Sequence, residues 1–403
     1  QVSDEIGHPK GVHFFNSKEL NHISYSVLEA IGSINQIGLN ISLQTDTPAA
    51  LKAMGRKNLK EEKLEKALEW AKNRKIETTT ELIFGLPGET KDTFLSLLER
   101  SVLRGFDNVL CHNLFLLDGS ELNRDVERKK HDFKTKYRLP GADYGDIKGE
   151  FVAEFEEVVV GSNTFDFEDY MHIRHHNFAY YAVYGLQFYR WFFNSLKNFD
   201  ISLSKFFNSF LFPDLKQKWP KEYIKFLSDL RGAFEGELYN SVEELRADLE
   251  KKYRKNNNKV LTATRLNILY GGRLIYMEKS WIVEVLKKHL NILGLSEKDE
   301  RWKLAEELLE ICTKERIDLR NPKNPEPLIT EYDYISWSET KFKKPLKDFN
   351  MKSSKKYEFT IDNTRKKRIK SLEVELGGME DEGFYYRALD AFSPRSKLLF
   401  DIK

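Results

Sequence analysis

Along the first third of the chain, short apolar runs alternate with stretches whose apolar residues recur every three or four positions. Residues 11–16 (GVHFFN), 39–45 (LNISLQT), 77–84 (ETTTELIF) and 107–117 (DNVLCHNLFLL) read as strands. Between them, 19–34 and 59–74 read as helices, and the second gathers Leu64, Ala67, Leu68 and Ala71 on one face with Lys and Glu opposite. Thr90 is placed to cap a third helix that carries Phe94, Leu97, Leu98 and Val102 and stops at Gly105. Strands alternating with helices of this length predict βαβ units and a parallel sheet, an α/β fold. Four strands do not close an eightfold barrel. The sheet is then open, or its beginning is missing.

Further on the pattern changes. Residues 126–136 are strongly charged, and RLPGADYGDIKG reads as a connector. EFVAEFEEVVVGSNTF (150–165) predicts one more strand with a turn, and 166–316 is helical by pattern and rich in Phe, Tyr and Trp. A helix beginning at Ser296 has Trp302, Leu304, Leu308, Leu309 and Cys312 as its apolar positions, and the prolines of NPKNPEPL mark a boundary after it. In the tail, KYEFTID, IKSLEVEL and KLLFDI alternate like strands. The expected division is 1–125, the α/β part; 126–165, a connector with a possible extra strand; 166–320, a helical domain; and 321–403, a small β or α+β tail.

Composition narrows the function classes. Of 403 residues 32% are charged and 40% hydrophobic, which predicts a water-soluble globular chain. The net charge of +2 gives no global argument for nucleic-acid binding, and the basic runs at 251–259 and 364–370 read as solvated faces. Two cysteines, Cys111 and Cys312, exclude a disulfide framework and fit a reducing, cytoplasmic setting. No stretch is apolar and long enough to predict a transmembrane segment. HIRHH puts His172, His175 and His176 on one helical face; without an HExxH pattern, packing is the reading favoured over metal ligation. The aromatic cluster FAYYAVYGLQFYRWFF is read as helical-domain core, with a lipid-binding surface as the minority alternative.

The chemistry points to strand ends. In a parallel α/β sheet, ligands sit where strand carboxyl ends meet helix N-termini, and ELIFGLPGET (81–90) is such an end. Gly85 and Gly88 allow close approach to the backbone, Pro87 stiffens the turn, and Glu89 with Thr90 opens the next helix. The same segment also reads as a plain strand-to-helix turn. It is no P-loop, because no GK[ST] follows. Ser42 and Gln44 fall on one face of the second strand, Arg56 and Lys57 offer cations for a carboxylate, and LFLLDGSEL adds another glycine turn at the same rim.

In order and spacing, ISLQT, ALKAMGRKN, TTTELIFGLPGETKDTF and NVLCHNLFLLDGSEL resemble strands four to six of a radical S-adenosylmethionine (SAM) barrel of the Elp/MiaB-like group. EEVVVGSNTFDFEDYMHIRHHNFAYY is similar to the region after the barrel in cobalamin-binding-domain radical SAM proteins. The resemblance implies that residues 1–125 are the carboxyl-terminal half of a partial (β/α) TIM-like barrel, with SAM and a 4Fe–4S cluster as cofactors, cobalamin as an optional third, an external electron donor and a small-molecule or lipid-like substrate. Such enzymes cleave SAM reductively to a 5′-deoxyadenosyl radical that abstracts hydrogen from substrate. By the same resemblance, Ser42 and Gln44 lie near the ribose and methionine parts of SAM, and Arg56 faces its carboxylate. Ile83, Gly85, Leu86 and Gly88 border the adenine, with Leu116 and Leu117 across from them.

The sequence departs from that family: the cluster-binding CxxxCxxC is absent, and Cys111 and Cys312 do not replace it. The strand-two glycine and acid motif that contacts the SAM amine is absent as well. The expectation is therefore that Gln1 begins inside a longer protein, near its third barrel strand, and that this chain alone is inactive. A noncatalytic SAM-binding or scaffold protein on a degenerate barrel is the alternative. An RNA-modifying methylthiolation enzyme is a third reading, weakened because the tail lacks an aromatic-plus-basic RNA platform.

Overall fold

The computed structural model describes residues 5, 21–32, 38–141, 143–259, 265–391 and 400–403. The strand expected at 11–16 lies outside them, as do the ends of the helix expected at 19–34. The chain divides into two compact units, Gln1–Arg138 with Phe155–Ile173, and Leu139–Glu154 with Arg174–Lys403.

The first unit is built on a parallel sheet of β1 (Gly38–Asn40), β2 (Glu77–Phe84) and β3 (Asn108–Asn113), in that order, with Asn40 opposite Thr79 and Ile83 opposite His112. β2 alternates strictly: Thr78, Thr80, Leu82 and Phe84 are buried, and the residues between them are half-buried. Among the described residues, the helices α1 (His22–Gly32), α2 (Pro48–Ala53), α3 (Glu61–Asn73) and α4 (Lys91–Arg104) alternate with these strands. Leu64, Ala67, Leu68 and Ala71 of α3 are buried, as the 3.6-residue period requires. Thr90 and Thr93 form a reciprocal capping box at the start of α4, and Gly105 ends it in the left-handed region at φ 95°.

Two expected strands are shorter than the apolar pattern suggested. After Asn40, the Thr80 hydroxyl donates to the Ile41 carbonyl at 2.8 Å and accepts the Leu43 amide at 3.4 Å, replacing ladder bonds. Gln44, at φ 63°, then rejoins β2 by a single bridge to Leu82. One extra residue has thus been inserted, as in a bulge. β3 stops at Asn113 because the following residues change partner. Leu114 donates to Phe84 at 2.8 Å, whereas the Leu116 amide bonds the Glu157 carbonyl at 2.9 Å.

The stretch 150–165 is two strands rather than one. β6 (Glu150–Ala153) pairs with β5 (Tyr144–Ile147), and β7 (Glu156–Gly161) pairs with β4 (Lys134–Arg138), both antiparallel. The division between units falls between Glu154 and Phe155. Part of the expected connector is therefore a hairpin, turned by Lys148 and Gly149 at φ 53° and 89°, the positive pair that a two-residue hairpin loop needs. In β5 Asp146 and the apolar Ile147 are both exposed, so no alternation marks the strand.

The second unit is mainly helical. The aromatic run forms its core: Phe178, Tyr180, Phe188, Trp191 and Phe192 are each at most 2% exposed. The helix expected from Ser296 runs Arg301–Lys314, because the Asp299 carboxylate, not Ser296, takes the Arg301 amide at 2.9 Å. In the tail, β8 (Leu328–Tyr332) pairs with β9 (Asn350–Tyr357), and Phe359–Thr360 pairs with Asp401–Ile402. IKSLEVEL is not a strand but the end of the helix Asn363–Leu376. Asp362 caps that helix through the Arg365 amide at 2.8 Å, and Ile369 and Leu372, three apart, are its buried apolar residues.

Candidate functional site

The helix-facing side of the sheet is closed by Leu39, Ile41, Leu82, Phe84 and Val109, all at most 4% exposed. Its other side is half-buried and polar. At the strand N-termini, the Asn108 amide donates to Glu77 at 2.8 Å and to Thr79 at 3.3 Å. Midway, the Ser42 hydroxyl donates to Glu81 at 2.7 Å and lies 3.4 Å from Asn40. At the carboxyl end, the Arg56 guanidinium donates to the Gln44 side-chain oxygen, while Ile83 stands opposite His112. Hydroxyl, amide and carboxylate groups thus line one face, and a guanidinium bonded to Gln44 stands at the strand ends.

Of the expected ligand residues, the structure pairs Gln44 with Arg56 and sets Ser42 on Glu81, two residues before Ile83 on β2. The others are in different surroundings: Leu86 and Leu116 are 2% and 5% exposed, whereas Leu117 is 63% exposed. The two glycines have a local reason of their own. Gly85 and Gly88 take φ 98° and 80°, and a Cβ there would lie 3.3 Å from Leu114 Cβ and 3.1 Å from Ala49 Cβ. Side-chain-free backbone is required by the fold's own packing at these positions.

Behind the rim lies a buried hydroxyl–carboxyl cluster. Glu89 is fully buried; its Oε1 accepts the hydroxyls of Thr47 and, at 3.1 Å, Thr93, while its Oε2 meets no hydrogen-bond donor. The Thr164 hydroxyl reaches the Glu89 carbonyl at 2.6 Å. Burial pushes the Glu89 carboxyl up, and hydrogen bonds from Thr47, Thr45 and Thr93 oppose this only in part. Nearby, burial also pushes Asp46 up, but Arg100 and Arg104 outweigh it and hold the carboxyl below its usual range. Glu89 therefore ties the loop after β1 to the start of α4.

Sequence reading passed over Glu81, Asn108 and His112, which complete the polar face. The signal was available: Glu81 falls at the same period-two positions as Ile83 on β2. The role of Glu89 as a tie was not legible, since Thr47 is far from it in the chain.

Among the described residues, no group of three or more His, Cys, Asp and Glu could hold a metal ion. His175 packs edge-on against Phe234 at 5.3 Å, and His176 stacks with Phe212 at 6.2 Å, as the packing reading expects. No described helix is long and apolar enough to cross a membrane. Compared with known proteins, residues 11–100 match the family model of the radical SAM superfamily. No curated protein matches the chain.

Proposed function

We propose, from the premise that residues 11–100 belong to the radical SAM superfamily, that this chain carries the SAM-facing part of an enzyme that modifies its substrate by radical chemistry. The observation that carries this reading is the polar sheet face on which Ser42 meets Glu81, with Arg56 reaching Gln44 at the strand ends. A hydroxyl, an amide and a guanidinium fit the ribose, amino-acid and carboxylate groups of SAM. When bound, SAM supplies the adenosyl group that in this superfamily takes hydrogen from substrate.

In this reading Arg56 pairs with the SAM carboxylate, and Ser42 and Gln44 meet the ribose and methionine parts. Ile83, Gly85, Leu86 and Gly88 border the adenine, with Leu116 and Leu117 opposite. Residues 1–125 then form the barrel portion, 126–165 the connector, 166–320 a helical domain and 321–403 the tail. The 4Fe–4S cluster does not fit this chain: it offers two cysteines, Cys312 is buried, and Cys111 stands on β3, 201 residues away in the chain. These residues do not supply the thiolate set of such a cluster. Cobalamin, an electron donor and a small-molecule or lipid-like substrate belong to the proposal for the whole enzyme, with no residue of this chain assigned to them.

Calorimetric titration of this chain with SAM tests the site: Arg56→Ala should weaken binding about tenfold, the loss of one charge-assisted contact. Equal affinity of wild type, Arg56→Ala and Ser42→Ala would overturn the placement. The missing thiolate set favours a second reading, a SAM-binding or scaffold protein without catalysis. Anaerobic iron–sulfur reconstitution of the intact protein separates the two, since reductive SAM cleavage occurs only in the enzyme.

A further inference from the structure

In the first unit, the backbone that leaves β3 is held by a closed circuit of hydrogen bonds. The Leu116 amide bonds the Glu157 carbonyl at 2.9 Å. The Glu157 carboxylate receives the Arg128 guanidinium at both oxygens, from Nη1 at 2.9 Å and from Nη2. Nη2 and Nε of the same guanidinium donate to the Asn123 side-chain oxygen at 2.6 and 2.9 Å. The Asn123 side-chain nitrogen then returns to the Leu117 carbonyl at 3.2 Å. Leu116 and Leu117 are thus tied from two directions, by β7 and by the helix Asp125–His131 that carries Arg128.

The chemistry of this circuit requires an arginine. A planar guanidinium offers two donors to one carboxylate and still reaches an amide oxygen, whereas a lysine ammonium has no such fork. The Glu157 side chain is only 12% exposed, and Thr135 adds a further donor to it at 2.7 Å. Burial pushes the Glu157 carboxyl up, but the hydrogen bonds from Arg128 and Thr135 and the Arg128 charge outweigh it and hold the group below its usual range. What this frame presents is Leu117, an apolar side chain 63% exposed just beyond the carboxyl end of β3. An exposed leucine on a backbone fixed from two directions is a preorganised apolar contact, which a flat ring meets without having to order a loop.

We propose that Arg128 is a positioning residue for the nucleoside end of SAM. Its guanidinium is engaged by Glu157 and Asn123, and through them it fixes the Leu116–Leu117 backbone against which the adenine lies. The inference rests on the SAM reading above and adds to it the residues that hold the far wall of the site.

The test is calorimetric titration of the whole chain with 5′-deoxyadenosine, which carries the nucleoside and lacks the amino acid, beside titration with SAM. Arg128→Lys keeps the charge and loses the fork, and Asn123→Ala opens the circuit while leaving the Arg128–Glu157 pair in place. Each should weaken 5′-deoxyadenosine binding about fivefold, the cost of ordering the leucine backbone on binding. Arg56→Ala should leave the nucleoside affinity unchanged and weaken SAM alone, because its proposed partner is the carboxylate. Thermal melts show which variants are folded, and Asn123→Ala decides if Arg128→Lys is not. Wild-type nucleoside affinity in the folded variants overturns the positioning role and leaves the SAM reading standing, as does a wild type that binds SAM but not the nucleoside. A wild type that binds neither overturns the SAM reading and this inference with it.

Discussion

The hydroxyl of Thr47 donates its hydrogen bond to Oε1 of Glu89, joining the loop after the first described strand to the start of the helix Lys91–Arg104 inside a site with no exposure. GLPGET has its acid for this reason. The carboxyl group is a tie beneath the rim of the candidate site.

Because burial raises the Glu89 pKa, the native state holds its proton where the unfolded chain has lost it. Stability from this group is full below the unfolded value and is lost as pH rises toward the folded value. Glu89→Gln should therefore be at least as stable as wild type at pH 8 in urea melts. Glu89→Ala, which strands the threonine hydroxyls, should lose about 1–3 kcal/mol. A Gln variant weaker than wild type at pH 8 but not at pH 5 would show that the charged form is the one the fold needs.

Gly85→Ala and Gly88→Ala combine a positive φ with contacts at 3.3 and 3.1 Å, whereas Gly119, at φ 78°, has open space where a Cβ would go. Chemical denaturation should rank them: Gly119→Ala loses about 1 kcal/mol from backbone strain, and the other two lose more. Equal losses at all three positions would remove close packing from the explanation.

His289 is buried, with the Ser209 hydroxyl 2.8 Å from Nδ1, the Tyr223 hydroxyl 3.1 Å from Nε2, and Trp219 stacked at 4.6 Å. Burial first, and then Lys288, lower its pKa to about 3. The unfolded chain takes up a proton below its ordinary value near 6.5 while the native state stays neutral. Stability should thus fall on acidification across that window, with a slope approaching about 1.4 kcal/mol per pH unit from this residue. Comparing urea midpoints of wild type and His289→Gln from pH 7 to pH 4.5 isolates the contribution. Parallel profiles would exclude it.

Glu315, with no exposure, receives Arg190 at 2.5 Å and the Trp191 indole at 2.9 Å. Removing the acid leaves a guanidinium and an indole donor without their shared acceptor. Glu315→Ala should destabilise the protein by about 3–5 kcal/mol, and Glu315→Gln by less, since it keeps an acceptor. Thermal melts of the pair give the order, and a stable alanine variant would mean that water takes the carboxylate's place.

What the sequence determined by itself was local. Period-two alternation marked Glu77–Phe84, the 3.6-residue period chose the buried face of Glu61–Asn73, and Thr90 with Gly105 bounded the next helix. Each depends on neighbours a few residues away, so the chain order alone carries the information. The resemblance to the radical SAM superfamily was legible for the same reason, as ordered segments rather than contacts. Tertiary structure decided the rest. Ser42 reaches Glu81, and Gln44 reaches Arg56, only once the strands are in register around an inserted residue. Alternation in IKSLEVEL yielded to the helix because Asp362 caps it and Ile369 and Leu372 find a core at helical spacing. Glu89 lost its solvent, and with it its ordinary pKa, when Thr47 closed over it. Burial and register come from residues far apart in sequence, and no local pattern encodes which of them will meet.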